Sequence, residues 1–227
     1  MTNSKNLIVF DIDDTLTMSE SQHLNAYMNT MIHFGITKIN QDWQSYLNVT
    51  DSYILKENYE TNLKKEFHFS FIPEFEKKMT VSILNLPKSK EIKGATAIVD
   101  FFMKETNYAI CFATGSLLQP AFIKLEQANI NFVPELVEAS NTFFTREEIV
   151  KSAIEKARKY FNINKFENII SVGDGIWDLK TAKNLDIHFL GIGDKNLADF
   201  QKENSKSHIT DWLNFDFNKI KTELRIH

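Results

Sequence analysis

The chain has 227 residues, 43% of them hydrophobic and 12% aromatic, with a formal net charge of −4 and a pI near 5.9. That is enough apolar material for one large domain or a domain with a smaller insert, and the acidic balance argues against nucleic acid as a partner, because phosphate-backbone binding needs a clustered basic face. The single cysteine, Cys111, allows no intramolecular disulfide, no Cys/His spacing resembles a zinc site, and MTNSKNLIVF places only four consecutive apolar residues before the first aspartate, too few for a signal-peptide core or a membrane span. The expected compartment is the reducing cytoplasm, with no membrane partner. Nothing in the chain signals an oligomeric state.

The first predicted element is a buried strand, Leu7-Ile8-Val9-Phe10, rich in β-branched residues. It runs straight into Asp11, Asp13 and Asp14, with Glu20 at the entrance of the next segment. Residues 17–93 are far too many for a strand-to-helix loop and must hold structure of their own. Leu24, Tyr27, Met28, Met31 and Ile32 have the spacing of an amphipathic helix that Gly35 would end. Ile54 to Leu63 predicts a second helix. Phe67, Phe69, Phe71 and Phe75 cluster around Pro73, and Met79 to Leu86 leads into Pro87. The pairs Lys64-Lys65 and Lys77-Lys78 read as solvated helix faces. Residues 17–93 are thus expected to be a mostly helical cap, and the Phe-rich stretch is expected to form its core rather than line a pocket.

Three more short apolar runs precede turn residues: Tyr108–Ala113 before Thr114-Gly115-Ser116, Ile169–Val172 before Gly173-Asp174-Gly175, and Ile187–Ile192 before Gly193-Asp194. A helix is expected from near Pro120. Another, carrying Ile149, Ala153, Ile154, Ala157 and Tyr160, starts at a capping box formed by Thr145 and Glu148. Strands alternating with helices predict an α/β fold, a Rossmann-like, doubly wound parallel sheet over residues 1–16 and 94–227.

In such a sheet the strands' carboxyl ends form the ligand crevice. Asp11 is the expected nucleophile, since a carboxylate attacking phosphorus divides one hard hydrolysis into two easier steps. Asp13 is placed to protonate the leaving oxygen and then to activate water. The Thr114 hydroxyl and the free N–H groups around Gly115 would cradle a phosphoryl oxygen. Asp11, Asp174 and the Asp13 backbone carbonyl offer oxygen ligands to a Mg²⁺ ion, which would relieve the crowding of like charge. Arg146, in the first turn of its helix, is the preferred phosphate-facing cation. Lys151 is the alternative, more than a turn farther along. Trp177, His23, His33 and His68 read as packing or surface residues.

These motifs, in this order and strand context, resemble the haloacid dehalogenase superfamily. Asp11-Ile12-Asp13-Asp14-Thr15 matches its first motif, Thr114 its second, and Gly173-Asp174 with Asp178 its fourth. The resemblance implies Asp11 as nucleophile, Asp13 as acid/base, Thr114 as phosphate binder, and Asp178 beside Asp174 at a Mg²⁺ site. The third motif is usually a lysine just before the helix preceding the fourth, and here Phe143-Phe144-Thr145-Arg146 departs from it. Dehalogenases of the superfamily lack the second acidic residue, so Asp13 favours phosphoryl chemistry. The expected activity is Mg²⁺-dependent hydrolysis of a small phosphorylated metabolite, with a phosphomutase as the alternative. A receiver-type phosphoacceptor fits poorly, because the strand ending at Ala113 leads into Thr-Gly-Ser rather than Asp.

Overall fold

The computed structural model describes residues 6–226; residues 1–5 of the expected core segment 1–16, and residue 227, lie outside the described residues. In chain order the elements are β1 (Asn6–Phe10), β2 (Thr17–Met18), α1 (Glu20–His33), α2 (Asp51–Leu63), α3 (Ile72–Leu84), β3 (Lys90–Glu91), α4 (Ala95–Glu105), β4 (Tyr108–Ala113), α5 (Leu118–Gln127), β5 (Val137–Glu138), α6 (Arg146–Phe161), β6 (Asn168–Gly173), α7 (Ile176–Asn184), β7 (His188–Ile192), α8 (Leu197–Lys202), β8 (His208–Ile209) and α9 (Phe217–Leu224). Among the described residues no helix is long and apolar enough to cross a membrane.

Six strands form one parallel sheet in the order β5-β4-β1-β6-β7-β8. The four apolar runs identified in the sequence are its four central strands. The two-residue edge strands β5 and β8 are too short to leave a periodic signal. Alternation along β1 sends Ile8 and Phe10 to one face and Leu7 and Val9 to the other. The first pair packs with Val99 and Phe102 of α4, Leu125 of α5 and Ile220 of α9. The second packs with Ile149, Ala153 and Ala157 of α6.

Between β1 and α4 the chain leaves through β2 and returns through β3, which pair antiparallel, Thr17 with Glu91 and Met18 with Lys90. The intervening helices build a core of their own from Tyr27, Met31, Ile54, Leu55, Phe75 and Met79, which Leu117 and Ile123 of the sheet region join. Phe67, Phe69 and Phe71 pack here, as expected, and Phe69 stacks on Phe144 with ring centroids 4.5 Å apart. Gly35 follows the end of α1 with φ +81°, a left-handed conformation that favours glycine. α3 begins at Ile72, earlier than the run from Met79 suggested, because Pro73 sits at the start of a helix, where its missing N–H costs nothing.

Candidate active site

β1 lies between β4 and β6, with Phe10 level with Phe112 and Val172. The ladder extends one step further, since the Asp11 N–H donates to the Val172 carbonyl at 2.9 Å. Asp11, the Thr114 turn and Asp174 therefore emerge side by side. From β1 the sheet grows first toward β4 and β5 and then, on the other side, toward β6 to β8, so this edge is a topological switch point.

The capping box is present: Thr145 accepts from the Glu148 N–H at 3.2 Å, and the Glu148 carboxylate accepts from the Thr145 N–H at 3.1 Å. It starts α6 at Arg146, whose Nη1 donates to Asp11 Oδ1 at 3.0 Å and to Asp178 Oδ1 at 3.4 Å, while Nε donates to the Val49 carbonyl at 3.1 Å. The guanidinium passes so close to Gly115 that a Cβ there would lie 2.7 Å from Cζ. Gly115 is thus needed for the approach of Arg146 as well as for its own N–H. Lys151, the alternative cation, is exposed on α6. The helix has by then climbed away from the strand ends, so only Arg146 reaches Asp11. Thr114 is buried, and its hydroxyl accepts the Ser116 N–H at 3.1 Å; Gly115 and Ser116, rather than Thr114, line the cavity above.

Asp11, Asp174 and Asp178 each offer a carboxylate oxygen within 4.8 Å of the others. Burial, then the charge of Asp178, raises Asp11 to about 8 against the pull of Arg146. Burial and the charges of Asp178 and Asp11 raise Asp174 to about 9. Asp178 is raised mainly by burial, and its Oδ2 accepts the Gly175 N–H at 3.1 Å. Hard oxygen donors crowded at such electrostatic cost fit a small divalent cation like Mg²⁺, and they would be deprotonated by it.

The Asp13 side chain lines the same cavity but has different partners. It receives Lys124 Nζ at 2.7 and 2.6 Å and the Ser19 hydroxyl at 2.5 Å. Burial works to raise its carboxyl, but the Lys124 charge and the hydrogen bonds from Lys124 and Ser19 hold it down at about 2. Any part for Asp13 in a metal site falls to its backbone carbonyl, because the carboxylate is committed to Lys124. Lys124 is fully buried and also donates to Ser116 Oγ at 3.0 Å and lies 3.2 Å from His23 Nδ1. His23 Nε2 lies 2.9 Å from Asp51 Oδ1. An ammonium can only donate, so Nδ1 accepts and Nε2 carries the proton toward Asp51.

Sequence reasoning missed Lys124 and Asp51, and placed His23 and Trp177 among packing residues, whereas both line the cavity. Of these, Lys124 alone carries a signal, its register. Lys124 falls between Ala121 and Leu125 on the core-facing side of α5, where a lysine needs a buried partner. Asp14, with φ +51°, supports the turn, its carboxylate accepting the Ser19 and Glu20 N–H groups at 3.3 Å each. The resulting cavity, about 130 Å³, lies between this carboxylate floor and the insert.

The family model for haloacid dehalogenase-like hydrolases matches residues 8–192, spanning all of these groups. No curated protein matches the chain. Among solved structures, a haloacid dehalogenase hydrolase of family IA, variant 3, from Entamoeba histolytica superposes with a TM-score of 0.70 at 16% identity, covering 97% of this chain and 99% of that one. A putative β-phosphoglucomutase from Bacteroides vulgatus gives 0.68 at 16% identity, over 98% and 90%. A predicted phosphoglycolate phosphatase from Haemophilus somnus gives 0.60 at 15% identity, over 97% and 99%. At such identities the likeness is one of fold.

Proposed function

The chain belongs to the haloacid dehalogenase-like hydrolases, and we propose that it is a Mg²⁺-dependent phosphatase that hydrolyses a small phosphomonoester through an aspartyl-phosphate on Asp11. The observation that carries this reading is Asp11 itself, buried at a strand end with Arg146 on one oxygen and the Asp174/Asp178 carboxylates alongside. Residues 17–93 are read as the cap that closes over the leaving group.

Asp11 Oδ attacks phosphorus, a P–O bond forms, and the bond to the leaving oxygen breaks. Asp13 delivers the proton that the departing alkoxide takes up. Water then attacks the phosphorus of the acyl-phosphate, Asp13 accepts its proton, and inorganic phosphate leaves with the Asp11 carboxylate restored. Arg146 and the N–H groups around Gly115 hold phosphoryl oxygens. When bound, Mg²⁺ supplies charge neutralisation for the transferring group, with Asp11, Asp174, Asp178 and the Asp13 carbonyl as its ligands. Asp13 is ionised while Lys124 holds it, so before it acts as an acid it must release the Lys124 contact and take up a proton from solvent or from the substrate's phosphate.

A dehalogenase would have no use for Asp13, and a receiver domain would need an acceptor aspartate after β4, where Thr114 stands. The test is phosphate release from p-nitrophenyl phosphate with and without Mg²⁺. Turnover should need the metal and fall by roughly 10³-fold or more in Asp11→Asn. Activity surviving in that variant would sink the assignment.

A further inference from the structure

Resting on the phosphatase reading, we propose that the alcohol released is small and apolar, about one ring in size, and carries no second anionic group. The two sides of the cavity differ in chemistry. Its floor is carboxylate, arginine and backbone N–H. Its remaining wall is made by Leu24, Tyr27, Trp43, Val49 and Ile54 of the insert with Trp177 opposite. Leu24 and Trp177 belong to none of the hydrophobic clusters of the interior, so the cavity is where their apolar surface is used. Trp177 is preset: its indole rests on Gly175 so closely that a Cβ there would lie 2.1 Å from Cε2. Trp43 is stacked on Tyr46, ring centroids 6.1 Å apart and 18° from parallel.

The polar side chains that the insert turns to this cavity each have at least one bond to another protein group. The Tyr27 hydroxyl donates to the Asp51 carbonyl at 2.5 Å, and the Thr50 hydroxyl donates to the Phe144 carbonyl at 2.8 Å. His23 is engaged at both nitrogens, by Asp51 and Lys124. Asp51 Oδ2 accepts the Leu117 N–H at 3.0 Å, and Glu20 pairs with Lys195 at 2.5 Å. A sugar alcohol in this space would leave several hydroxyls facing apolar surface without partners, at a cost for each. The Trp177 Nε1–H is buried without a partner, which suits one acceptor and not a polyol.

The charge pattern adds the second part of the proposal. Among the described residues no lysine or arginine of the insert lines the cavity, while Glu20 and Asp51 do. Arg146 is held by Asp11 and Asp178, and Lys195 by Glu20. With Arg146 taken by the transferring phosphoryl group and Lys195 paired with Glu20, a carboxylate or second phosphate on the leaving group would meet Glu20 and Asp51 with no cation reserved for it. This weighs against a phosphomutase, whose substrate must offer a phosphate at either end. The volume, about 130 Å³, must hold the phosphoryl group as well as the alcohol, so the alcohol can be no larger than about one ring, which by itself takes up roughly 150 Å³ in an apolar protein cavity. The reaction remains hydrolysis: water supplies the oxygen that joins phosphorus, and the alcohol leaves with a proton from Asp13.

The test compares three phosphates of primary alcohols, benzyl phosphate, ribose 5-phosphate and phosphoglycolate, by phosphate release from the full chain with saturating Mg²⁺. Benzyl phosphate should show kcat/KM at least tenfold above either of the others. Trp43→Ala and, separately, Leu24→Asn should lower the benzyl-to-ribose ratio at least fivefold. Ribose 5-phosphate or phosphoglycolate hydrolysed as well as benzyl phosphate would overturn this inference and leave the phosphatase reading standing. No phosphate from any of the three would overturn both.

Discussion

The floor and the roof of the cavity are built by different rules. The floor is a set of strand ends: Asp11, the Thr114–Ser116 turn and Asp174 meet because β4, β1 and β6 are neighbours in register, and each arrives with its motif intact in a short stretch of chain. The roof is assembled from α1, α2 and the connection between them, and its residues face the cavity only because the insert core turns those helices one way. Backbone topology thus carries the chemistry, and side-chain packing carries the selectivity. Removing a floor group should abolish turnover, whereas removing a roof group should change which substrate is turned over.

The sharpest way to break this division is at Arg146. Arg146→Ala should lower kcat/KM for every substrate by about 10²–10³-fold, a floor effect without selectivity. A loss confined to one substrate would place Arg146 in the roof instead. Lys124 is the harder case, because it joins the two regions through Asp13 and His23. Lys124→Met should cost roughly 3 kcal/mol of stability at neutral pH, the low end for breaking a buried pair, since Asp13 keeps about a quarter of its side chain exposed. The sign with pH comes from the depressed carboxyl. The pair stabilises above the ordinary carboxyl value of 3.8 and is lost as pH falls toward about 2. The urea midpoints of wild type and variant should therefore converge over that interval, and a constant gap would show that Lys124 acts through packing alone.

Asp11 and Asp174 are shifted the opposite way. Their folded forms hold protons that the unfolded chain releases near 3.8, so metal-free protein should lose stability as pH rises from about 4 to about 8 or 9. The expected fall in Tm is at least about 2–4 °C, and Mg²⁺ should restore more of it at the upper end than at pH 5. A flat metal-free profile would mean that the three carboxylates are not crowded in solution. The smallest effect belongs to Lys151→Ala, an exposed position on α6. Turnover should change less than twofold there, and a larger loss would reopen the choice between Arg146 and Lys151.

The same division explains what could be read in the sequence. Four central strands, the capping box at Thr145 and the aspartates after β1 and β6 are local patterns, each contained within a few residues. Lys124, Asp51 and His23 carry no such pattern. They form one hydrogen-bonded chain only after α1, α2 and α5 have packed, across sequence separations of 28 and 101 residues. Even so, a lysine between Ala121 and Leu125 in a core-facing register was a visible anomaly. Trp177, large and apolar, reads as a packing residue, and its ring does rest on Gly175, at the cavity wall.

The central claim is that Asp11 becomes phosphorylated, and the most direct measurement is to trap that state. With p-nitrophenyl phosphate, whose nitrophenolate leaves without a proton, Asp13→Asn should still allow attack and should slow the subsequent hydrolysis, so acid quenching during turnover of that substrate with Mg²⁺ should give protein heavier by one phosphoryl group. Peptide mass mapping should place that group on Asp11, and it should be absent without Mg²⁺. A phosphoryl group on another residue, or phosphate release that proceeds with no phosphorylated protein at any quench time, would contradict the account.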